Sequence, residues 1–361
     1  MSIKAAVMTG PGRPIEIQSI PDPDLEPGSI LLETVASEVC GTDVHLHHGR
    51  LAGVPYPIIP GHVSVGRVLE RRGVDRDALG QPLADGDVVT FLDVHETCHT
   101  CFFCRVAHQP NRCASRKVYG ITYTVADGPL GGWAERIHLK PGVLTVKLPE
   151  TLSADDVIGG GCGLFTGFAA VERSGMAMGE TVVVQGIGPV GLSAVAFAQL
   201  RGAGRIIAIG DPEARRELAL GMGADTVLSV SGSDPEERLQ VVRDATQGRG
   251  ADVVIEASGA RAAVPEGFRL LRDGGCYTIA GHYTDVGAVE INAHTDINRK
   301  HARVLGQWGT DFSHIARSLP LVARHRIPFA RVIGARYPIE QAGQALKDVE
   351  ELRVTKALIV P

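Results

Sequence analysis

Four cysteines of this chain fall close together with the spacing of a metal-binding cluster. The stretch CHTCFFCRVAHQPNRC follows the pattern C-x2-C-x2-C-x8-C, with its cysteines at Cys98, Cys101, Cys104 and Cys113. Four thiolates on one compact lobe are typical of a closed, tetrahedral structural zinc site. An iron–sulfur cluster is the main alternative. A redox motif fits less well, because it needs two cysteines at a helix start rather than four.

The remaining cysteines and one histidine are dispersed along the chain. Cys276 lies in the apolar stretch GGCYTIAG, where a small buried thiol is the expected state. Cys40 begins CGTD, and Cys162 lies in GGGCGLFTG. His62, in IIPGHVSVG, is flanked by glycine and apolar residues, which is typical of a core histidine. Taken singly, none of these residues predicts a metal site.

A glycine-rich turn follows the apolar stretch TVVVQG. Gly186, Gly188 and Gly191 have G-x-G-x-x-G spacing, after a predicted strand and at the start of a predicted helix. In that context the first glycine permits a tight turn, the second lets the backbone approach a pyrophosphate, and the third allows close helix–strand packing. We therefore predict that this loop, with Pro189 and Val190, binds a dinucleotide.

The strand RIIAIG that follows should end in an acidic residue that binds the adenosine ribose. It ends instead in Gly210, and Asp211 comes one position later. A carboxylate there favours NAD, whereas Arg215 or Arg216 facing a 2′-phosphate would favour NADP. A solvated first helical turn would also explain both arginines. NAD is predicted, with NADP as the alternative.

The elements that must position these groups show two patterns. The first 150 or so residues are short β segments separated by prolines and glycines, which predicts a β-rich, barrel-like domain. From about Leu164, β-branched runs alternate with helical stretches, which predicts an α/β domain with a doubly wound parallel sheet. The final 55 or so residues hold the strand-like RVLGQW, two helical pieces and the closing TKALIV. They are too few for a third core and are predicted to complete the first domain.

Composition favours a soluble enzyme. Apolar residues make up 44% and charged residues 21%, and the formal charge is −5, so neither nucleic acid nor a membrane is an expected partner. The longest apolar stretch, from Val157 to Val171, is interrupted by glycines and is shorter than the roughly 18 to 20 residues of a spanning helix. The start of the chain lacks the pattern of a secretion signal. A cytoplasmic location is predicted.

Five motifs in a fixed order carry a resemblance over essentially the whole chain. CGTDVH, PGHVSVGRV, the four-cysteine lobe, GCGLFTG and GIGPVG resemble the zinc-dependent alcohol dehydrogenases of the medium-chain dehydrogenase/reductase family. The resemblance implies a GroES-like catalytic domain at residues 1–163 and 306–361, with a structural zinc lobe at 95–115. It implies a Rossmann domain at 164–305, with the active site in the cleft. A homodimer or homotetramer acting on a small-molecule alcohol or ketone is expected.

The resemblance also assigns roles to the dispersed residues. It implies that Cys40, His62 and Cys162 bind a catalytic zinc, that Thr42 takes the proton of the substrate hydroxyl, and that His45 passes this proton to solvent. Two thiolates and one neutral imidazole bind Zn²⁺ and leave a fourth position for water or alcohol. Two zinc ions per chain are therefore predicted.

Further assignments accompany this match. Asp43 is predicted to fix the tautomer of His62, whereas His47 and His48 are assigned to a solvated loop. Lys356, in VTKALIV, occupies the place of a basic residue that meets the pyrophosphate.

One departure from the family concerns the residue after His62. The family usually has glutamate there, as G-H-E, and where that glutamate contacts zinc it can exchange with water. This chain has Val63. The predicted ligand set therefore relies on Cys162.

Two other classes of function share parts of the pattern. A quinone or enoyl reductase of the same superfamily transfers hydride without metal, but normally lacks Cys40, His62 and the four-cysteine lobe. A non-catalytic scaffold would not need Thr42 and His45. Among the dehydrogenases, GHYTDVGAVEINAHTDINRK loosely resembles bacterial members that oxidise bulky cyclic secondary alcohols such as hydroxycamphor, with polyols and primary alcohols as alternatives. His282 in this stretch either lines the substrate pocket or lies in a loop.

Overall fold

The two sequence patterns fold as two units in the computed structural model, which describes residues 2–361. Unit 1 consists of Met1–Gly161 and Asp311–Pro361, and unit 2 of Cys162–Thr310. The division expected from the sequence was 1–163 with 306–361, and 164–305. Among the described residues, no helix combines the length and the apolar character needed to cross a bilayer.

The elements are numbered in chain order. The strands are β1 (Ser2–Met8), β2 (Ile15–Pro21), β3 (Ile30–Val39), β4 (Ser64–Arg71), β5 (Val88–Phe91), β6 (Val94–His95), β7 (Lys117–Val118), β8 (Arg136–Leu139), β9 (Thr145–Lys147), β10 (Thr181–Gln185), β11 (Arg205–Ile209), β12 (Thr226–Leu228), β13 (Ala251–Glu256), β14 (Leu271–Ile279), β15 (Arg303–Gly306), β16 (Ala335–Tyr337) and β17 (Ala357–Ile359). The α-helices are α1 (Gly41–His47), α2 (Phe102–Arg105), α3 (Ala154–Ser174), α4 (Pro189–Leu200), α5 (Glu213–Gly221), α6 (Pro235–Ala245), α7 (Ala263–Leu270), α8 (Phe312–His325) and α9 (Ala342–Glu350).

Unit 1 is built around the long strand β3. Its main sheet has the order β16-β17-β3-β4-β5-β9, and β8 also pairs with β3. Apart from the parallel β16–β17 pair, the neighbours are antiparallel. Leu32, Val68, Phe91 and Ile137 pack in one apolar core beneath these strands. β3 ends at Val39, so the sheet holds in place the chain that leads into Cys40.

Unit 2 contains a six-stranded parallel sheet in the order β12-β11-β10-β13-β14-β15. Its short β-branched strands are almost wholly buried, as expected for a parallel sheet covered on both faces. Numbered within the unit, the strand order is 3-2-1-4-5-6, the order of a Rossmann fold. The direction of winding reverses between β10 and β13, and ligands bind at the carboxyl ends of the strands at such a point. The predicted fold class is confirmed.

The strand β15 lies in unit 2, whereas the sequence predicted it in the first domain. RVLGQW was expected to help complete the first domain, but β15 pairs in parallel with β14, with Tyr277 opposite Val304. It is the edge strand of the sheet in unit 2. A mostly exposed strand of four residues has too little pattern to reveal its partner. The later elements α8, α9, β16 and β17 lie in unit 1.

The apolar stretch between Val157 and Val171 forms most of α3, with a kink at Gly161. Gly161 has φ 54° and ψ −142°, a backbone conformation that favours glycine. An added Cβ there would lie 2.5 Å from Nζ of Lys356 and would overlap the carboxylate of Glu38. Cys162 follows directly, so the kink sets the position of a predicted zinc ligand.

Candidate active site

The four cysteines of the lobe converge on one point, as their spacing predicted. Cys98, Cys101, Cys104 and Cys113 each place Sγ within 4.8 Å of the other three. The sulfurs of Cys101 and Cys104 are 3.6 Å apart. Two thiolates at about 2.3 Å from one tetrahedral zinc ion lie about 3.8 Å apart, so this donor set fits the ion.

Backbone amides support the thiolate form of two of these cysteines, Cys98 and Cys113. The N–H of Cys98 donates to Sγ of Cys113, and the N–H of Cys101 donates to Sγ of Cys98, each at 3.3 Å. Hydrogen bonds from Thr100 and from the N–H of Cys101 lower the pKa of Cys98, and the N–H of Cys98 lowers that of Cys113. Within residues 95–115, only Cys113 is buried. A lobe without an apolar core needs a cross-link such as a metal to stay ordered.

The motif CGTDVH folds as α1, which begins directly after Cys40. Thr42 is 8% exposed and His45 is half-buried. Being three residues apart, their side chains are neighbours on one helix face. Burial, together with the nearby charges of Arg50 and His48, lowers the pKa of His45. Its ring is therefore neutral at pH 7 and able to accept a proton.

Asp43 caps the start of α1 at Cys40, a contact that was not predicted, and its predicted role toward His62 stays a prediction. The Oδ2 atom of Asp43 accepts the backbone N–H of Cys40 at 2.8 Å. Its Oδ1 atom has no hydrogen-bond partner among residues 2–361. The first turn of a helix leaves such an N–H without a helical partner, and an acid three residues on can satisfy it. Burial raises the pKa of Asp43 to about 6 in spite of the nearby charge of His62.

The two histidines assigned to a solvated loop lie at the end of α1. His47 is the last residue of the helix, is half-buried, and places Nε2 3.1 Å from the carbonyl oxygen of Arg13. His48 is exposed and pairs with Glu350 at 2.5 Å. The loop assignment is wrong for His47, because the buried Leu46 extends the helix beyond the motif.

A second donor set combines Glu38, Cys40, His62 and Cys162, with one atom from each within 4.8 Å of the others. Glu38 is 0% exposed, and Cys40 and His62 are each 5% exposed. Two sulfurs, an imidazole nitrogen and a carboxylate oxygen are ligand types that zinc accepts. The set therefore fits zinc, and it brings together the three residues singled out from the sequence.

Glu38 is the member of this set that sequence reasoning missed. It lies on β3, two residues before Cys40, and its Oε2 accepts a hydrogen bond from Nζ of Lys356. Its Oε1 is 3.6 Å from Nε2 of His62. A glutamate is rarely fully buried without a charged partner. Its place in a largely apolar strand next to a candidate ligand was the signal that could have identified it.

The same ion pair corrects the assignment of Lys356. This lysine is 1% exposed and directly precedes β17, which pairs with β3 so that Ala357 lies opposite Val39. The pairing brings its ammonium group to Glu38. The structure therefore places Lys356 at the second donor set and not, as predicted, at a pyrophosphate.

The glycine motif of unit 2 forms the turn between β10 and α4. Gly186 has φ 94°, and an added Cβ would lie 2.6 Å from a backbone nitrogen of the loop after β13. At Gly191 an added Cβ would collide with the carbonyl oxygen of Gly186. Apart from its chain neighbours, no atom of residues 2–361 lies within 4 Å of an added Cβ at Gly188, the residue before Pro189 and Val190 at the start of α4. Open space at a helix N-terminus fits a pyrophosphate.

The acidic residue after β11 is Asp211, one position later than the family pattern places it, and the packing of Gly210 gives a steric reason. An added Cβ at Gly210 would overlap the side chain of Ile187 in the glycine turn. A side chain at position 210 would therefore require Ile187 to shift, and the carboxylate stands at the following position, Asp211. Arg215 is half-buried, and burial lowers the pKa of its guanidinium group.

Asp211 is held by partners on two sides. Its carboxylate accepts hydrogen bonds from Oγ of Ser229 at 2.9 Å and from the N–H of Ser231 at 2.8 Å, and it pairs with Arg216. Burial raises its pKa, but these hydrogen bonds and the charge of Arg216 outweigh that effect, so the net shift is downward. The carboxylate is therefore ionised at neutral pH.

A second carboxylate missed from the sequence organises the loops beyond β13 and β14. Oε1 of Glu256 accepts the N–H groups of Ser258 and Gly259, each at 2.7 Å, and the hydroxyl of Ser258. Its Oε2 accepts the N–H of Gly281 at 3.1 Å. His282 lies half-buried in the loop after β14, with Nε2 3.8 Å from Glu256. Glu256 thus positions backbone at the carboxyl edge of the sheet.

Comparison with known proteins identifies the family. The family model of the alcohol dehydrogenase GroES-like domain matches residues 26–150, and that of zinc-binding dehydrogenases matches residues 189–324. The 5-exo-hydroxycamphor dehydrogenase of Pseudomonas putida is 34% identical, over 99% of this chain and 98% of that protein.

Two solved structures share the fold over the whole chain. An alcohol dehydrogenase from Thermotoga maritima is 34% identical with a TM-score of 0.95, and covers 100% of both chains. A zinc-binding dehydrogenase from Sinorhizobium meliloti, described as putative and bound to NADP, is 28% identical with a TM-score of 0.88, again over 100% of both chains. The chain therefore belongs to the zinc-dependent alcohol dehydrogenases of the medium-chain dehydrogenase family, as its motifs indicated.

Proposed function

We propose that this protein oxidises a secondary alcohol to a ketone and transfers hydride to NAD. The observation that carries the proposal is the coincidence of a buried zinc-type donor set with a proton-accepting pair on α1. Cys40 directly precedes the helix that carries Thr42 and His45. In this proposal Cys40, His62 and Cys162 hold the catalytic zinc, and the four-cysteine lobe holds a structural one.

The donor set would activate the alcohol, and helix α1 would carry the residues that move its proton. Zinc, when bound, acts as a Lewis acid that lowers the pKa of an alcohol hydroxyl. The hydroxyl of Thr42 accepts the released proton, and His45 passes it to solvent. The carbinol carbon loses its hydrogen as hydride to the nicotinamide ring, so the alcohol gives up two electrons and two hydrogens in all. The glycine turn binds the pyrophosphate and thereby positions the nicotinamide.

The charge at the end of β11 supports NAD over NADP. The ionised carboxylate of Asp211 would repel a 2′-phosphate, and Arg216 is already paired with it. Arg215 is the feature that favours NADP, since its half-buried guanidinium lies in the first turn of α5. The relative from Sinorhizobium meliloti, which is bound to NADP, also supports the NADP alternative. We therefore propose a modest preference for NAD.

Two observations support a bulky cyclic substrate. The relative from Pseudomonas putida is named for its action on 5-exo-hydroxycamphor. In unit 2, Tyr283 stacks on Trp308 with ring centroids 5.4 Å apart and an interplanar angle of 12°, beside His282 in the loop after β14. A half-exposed aromatic pair offers an apolar surface suited to a cyclic hydrocarbon.

A panel of alcohols tests the proposal. Zinc-loaded enzyme is assayed with a bicyclic secondary, an acyclic secondary, a primary and a polyol substrate, each with NAD and with NADP. We expect the highest kcat/KM for the bicyclic alcohol with NAD, and loss of turnover after chelation that added zinc restores. Thr42→Val should abolish turnover and Thr42→Ser should retain it. Turnover that survives complete removal of zinc would indicate a metal-free reductase instead.

A further inference from the structure

The carboxylate of Glu38 faces two groups at once. Its Oε2 is bonded to Lys356, while its Oε1 lies 3.6 Å from Nε2 of His62. That separation exceeds the 2.7–3.2 Å of a hydrogen bond. Two ligand atoms at about 2.0–2.1 Å from one tetrahedral zinc ion are about 3.4 Å apart. The spacing therefore resembles that of two ligands of one ion more than that of a hydrogen-bonded pair.

The charges of the donor set and of Lys356 complement each other. Two thiolates, from Cys40 and Cys162, neutralise a divalent ion. Within the donor set, Glu38 would leave one negative charge in excess, and the ammonium group of Lys356 compensates it. Buried charges persist only when they are compensated in this way.

The backbone leaves room for the Glu38–Lys356 pair. At Gly161 any side chain would overlap the carboxylate and crowd the ammonium group. The same glycine forms the kink that presents Cys162. The space for the carboxylate and the position of a zinc ligand thus depend on one residue.

We propose that Glu38 is a displaceable fourth ligand of the catalytic zinc and that Lys356 holds its carboxylate when substrate takes its place. This role rests on the proposed function, in which Cys40, His62 and Cys162 hold the ion. Glu38 then provides, from strand β3, the carboxylate that Val63 does not provide after His62. The fourth position is closed by a carboxylate in the free enzyme and opens when the alcohol enters.

The test measures metal binding directly, so it does not depend on finding the substrate. Glu38→Gln is compared with wild type and with Glu33→Gln, an exposed glutamate on the same strand. Zinc is titrated against a chromogenic chelator, and the absorption spectrum of the cobalt-substituted enzyme is recorded. We expect Glu38→Gln to weaken binding of the more easily removed zinc by about 10- to 100-fold and to change the cobalt spectrum. Glu33→Gln should change neither.

Two double variants separate a ligand from a countercharge. If Glu38 served only to neutralise Lys356, Glu38→Gln with Lys356→Met would restore zinc affinity. If our proposal is correct, this double variant still binds zinc weakly. Glu38→Gln with Val63→Glu returns a carboxylate to the position after His62, and should recover at least part of the lost affinity. The four-cysteine zinc, which should stay bound throughout, serves as the internal reference for folding.

The outcomes distinguish this proposal from the function on which it rests. A wild-type chain that binds two zinc ions, with Glu38→Gln unchanged in affinity and cobalt spectrum, overturns the role of Glu38 alone. Restored affinity in the variant lacking both charges also overturns it. A wild-type chain that binds only the four-cysteine zinc contradicts the proposed function and this role together.

Discussion

Replacing Glu256 with glutamine should destabilise unit 2 by a predictable amount. The carboxylate accepts three N–H groups and one hydroxyl. Hydrogen bonds to a charged group contribute about 1.5–3 kcal/mol each, and neutral ones about 0.5–1.5 kcal/mol. If the amide oxygen keeps its place near Ser258 and Gly259, the three hydrogen bonds there become neutral ones, a loss of about 1–1.5 kcal/mol each. The amide nitrogen then faces the N–H of Gly281, which keeps the backbone carbonyl oxygen of Glu256 at 3.0 Å as its acceptor.

Removing a buried charge offsets part of this loss. We therefore expect a decrease of about 3 kcal/mol in the free energy of unfolding. In a unit of about 150 residues this lowers Tm by about 6–12 °C. Because Glu256 holds two loops at the carboxyl edge of the sheet, the Kd for NAD should also rise.

Calorimetry and a fluorescence titration with NAD measure both effects. Glu290→Gln is the matched control, since Glu290 is an exposed glutamate of the same unit and its replacement should change stability by less than about 0.5 kcal/mol. A Tm for Glu256→Gln within about 1 °C of wild type would refute the magnitude derived from the hydrogen bonds. A large decrease in Tm with unchanged Kd would refute the role in positioning the loops.

Three further predictions concern the proposed site. Elemental analysis should find two zinc ions per chain, and Cys40→Ser or Cys162→Ser should leave one zinc and no activity; a fully active Cys162→Ser would remove that ligand. Because the pKa of His45 is lowered, its ring accepts protons above that pKa and loses this capacity as the pH falls through it. His45→Gln should thus slow oxidation near pH 7 by about 10²- to 10⁴-fold and far less at high pH, where hydroxide takes the proton; an unchanged pH–rate profile would contradict the relay. Asp211→Ala should shift kcat/KM toward NADP by about tenfold, or 1.4 kcal/mol, and a wild-type preference for NADP would show that Asp211 does not set cofactor choice.

Local spacing predicted the parts of the site that lie within a few residues of each other. The four-cysteine lobe and the glycine turn each depend on neighbours in the chain. The roles of Thr42 and His45 came from the family resemblance, and the helix α1 that carries them was not predicted. The family resemblance added Cys40, His62 and Cys162, which converge in the structure although their individual surroundings did not predict it.

Sequence reasoning failed where a role depends on a distant partner. Glu38 and Lys356 are 318 residues apart, and only the pairing of β17 with β3 shows that they meet. The capping of Cys40 by Asp43 is local, but a helix N-terminus and a histidine compete for the same carboxylate. The sequence alone does not show which of the two is closer.

The pairing of β17 with β3 has a consequence for biosynthesis. Unit 2 is a continuous segment, so a ribosome completes it before it makes residues 357–359, which unit 1 needs to close its sheet. Domains generally fold as units during synthesis. Unit 2 can therefore fold while β3 lacks β17, one of its three partner strands, and the ammonium group that pairs with Glu38 is made later. Charge compensation of Glu38 in the second donor set is thus a late event in the maturation of the nascent protein.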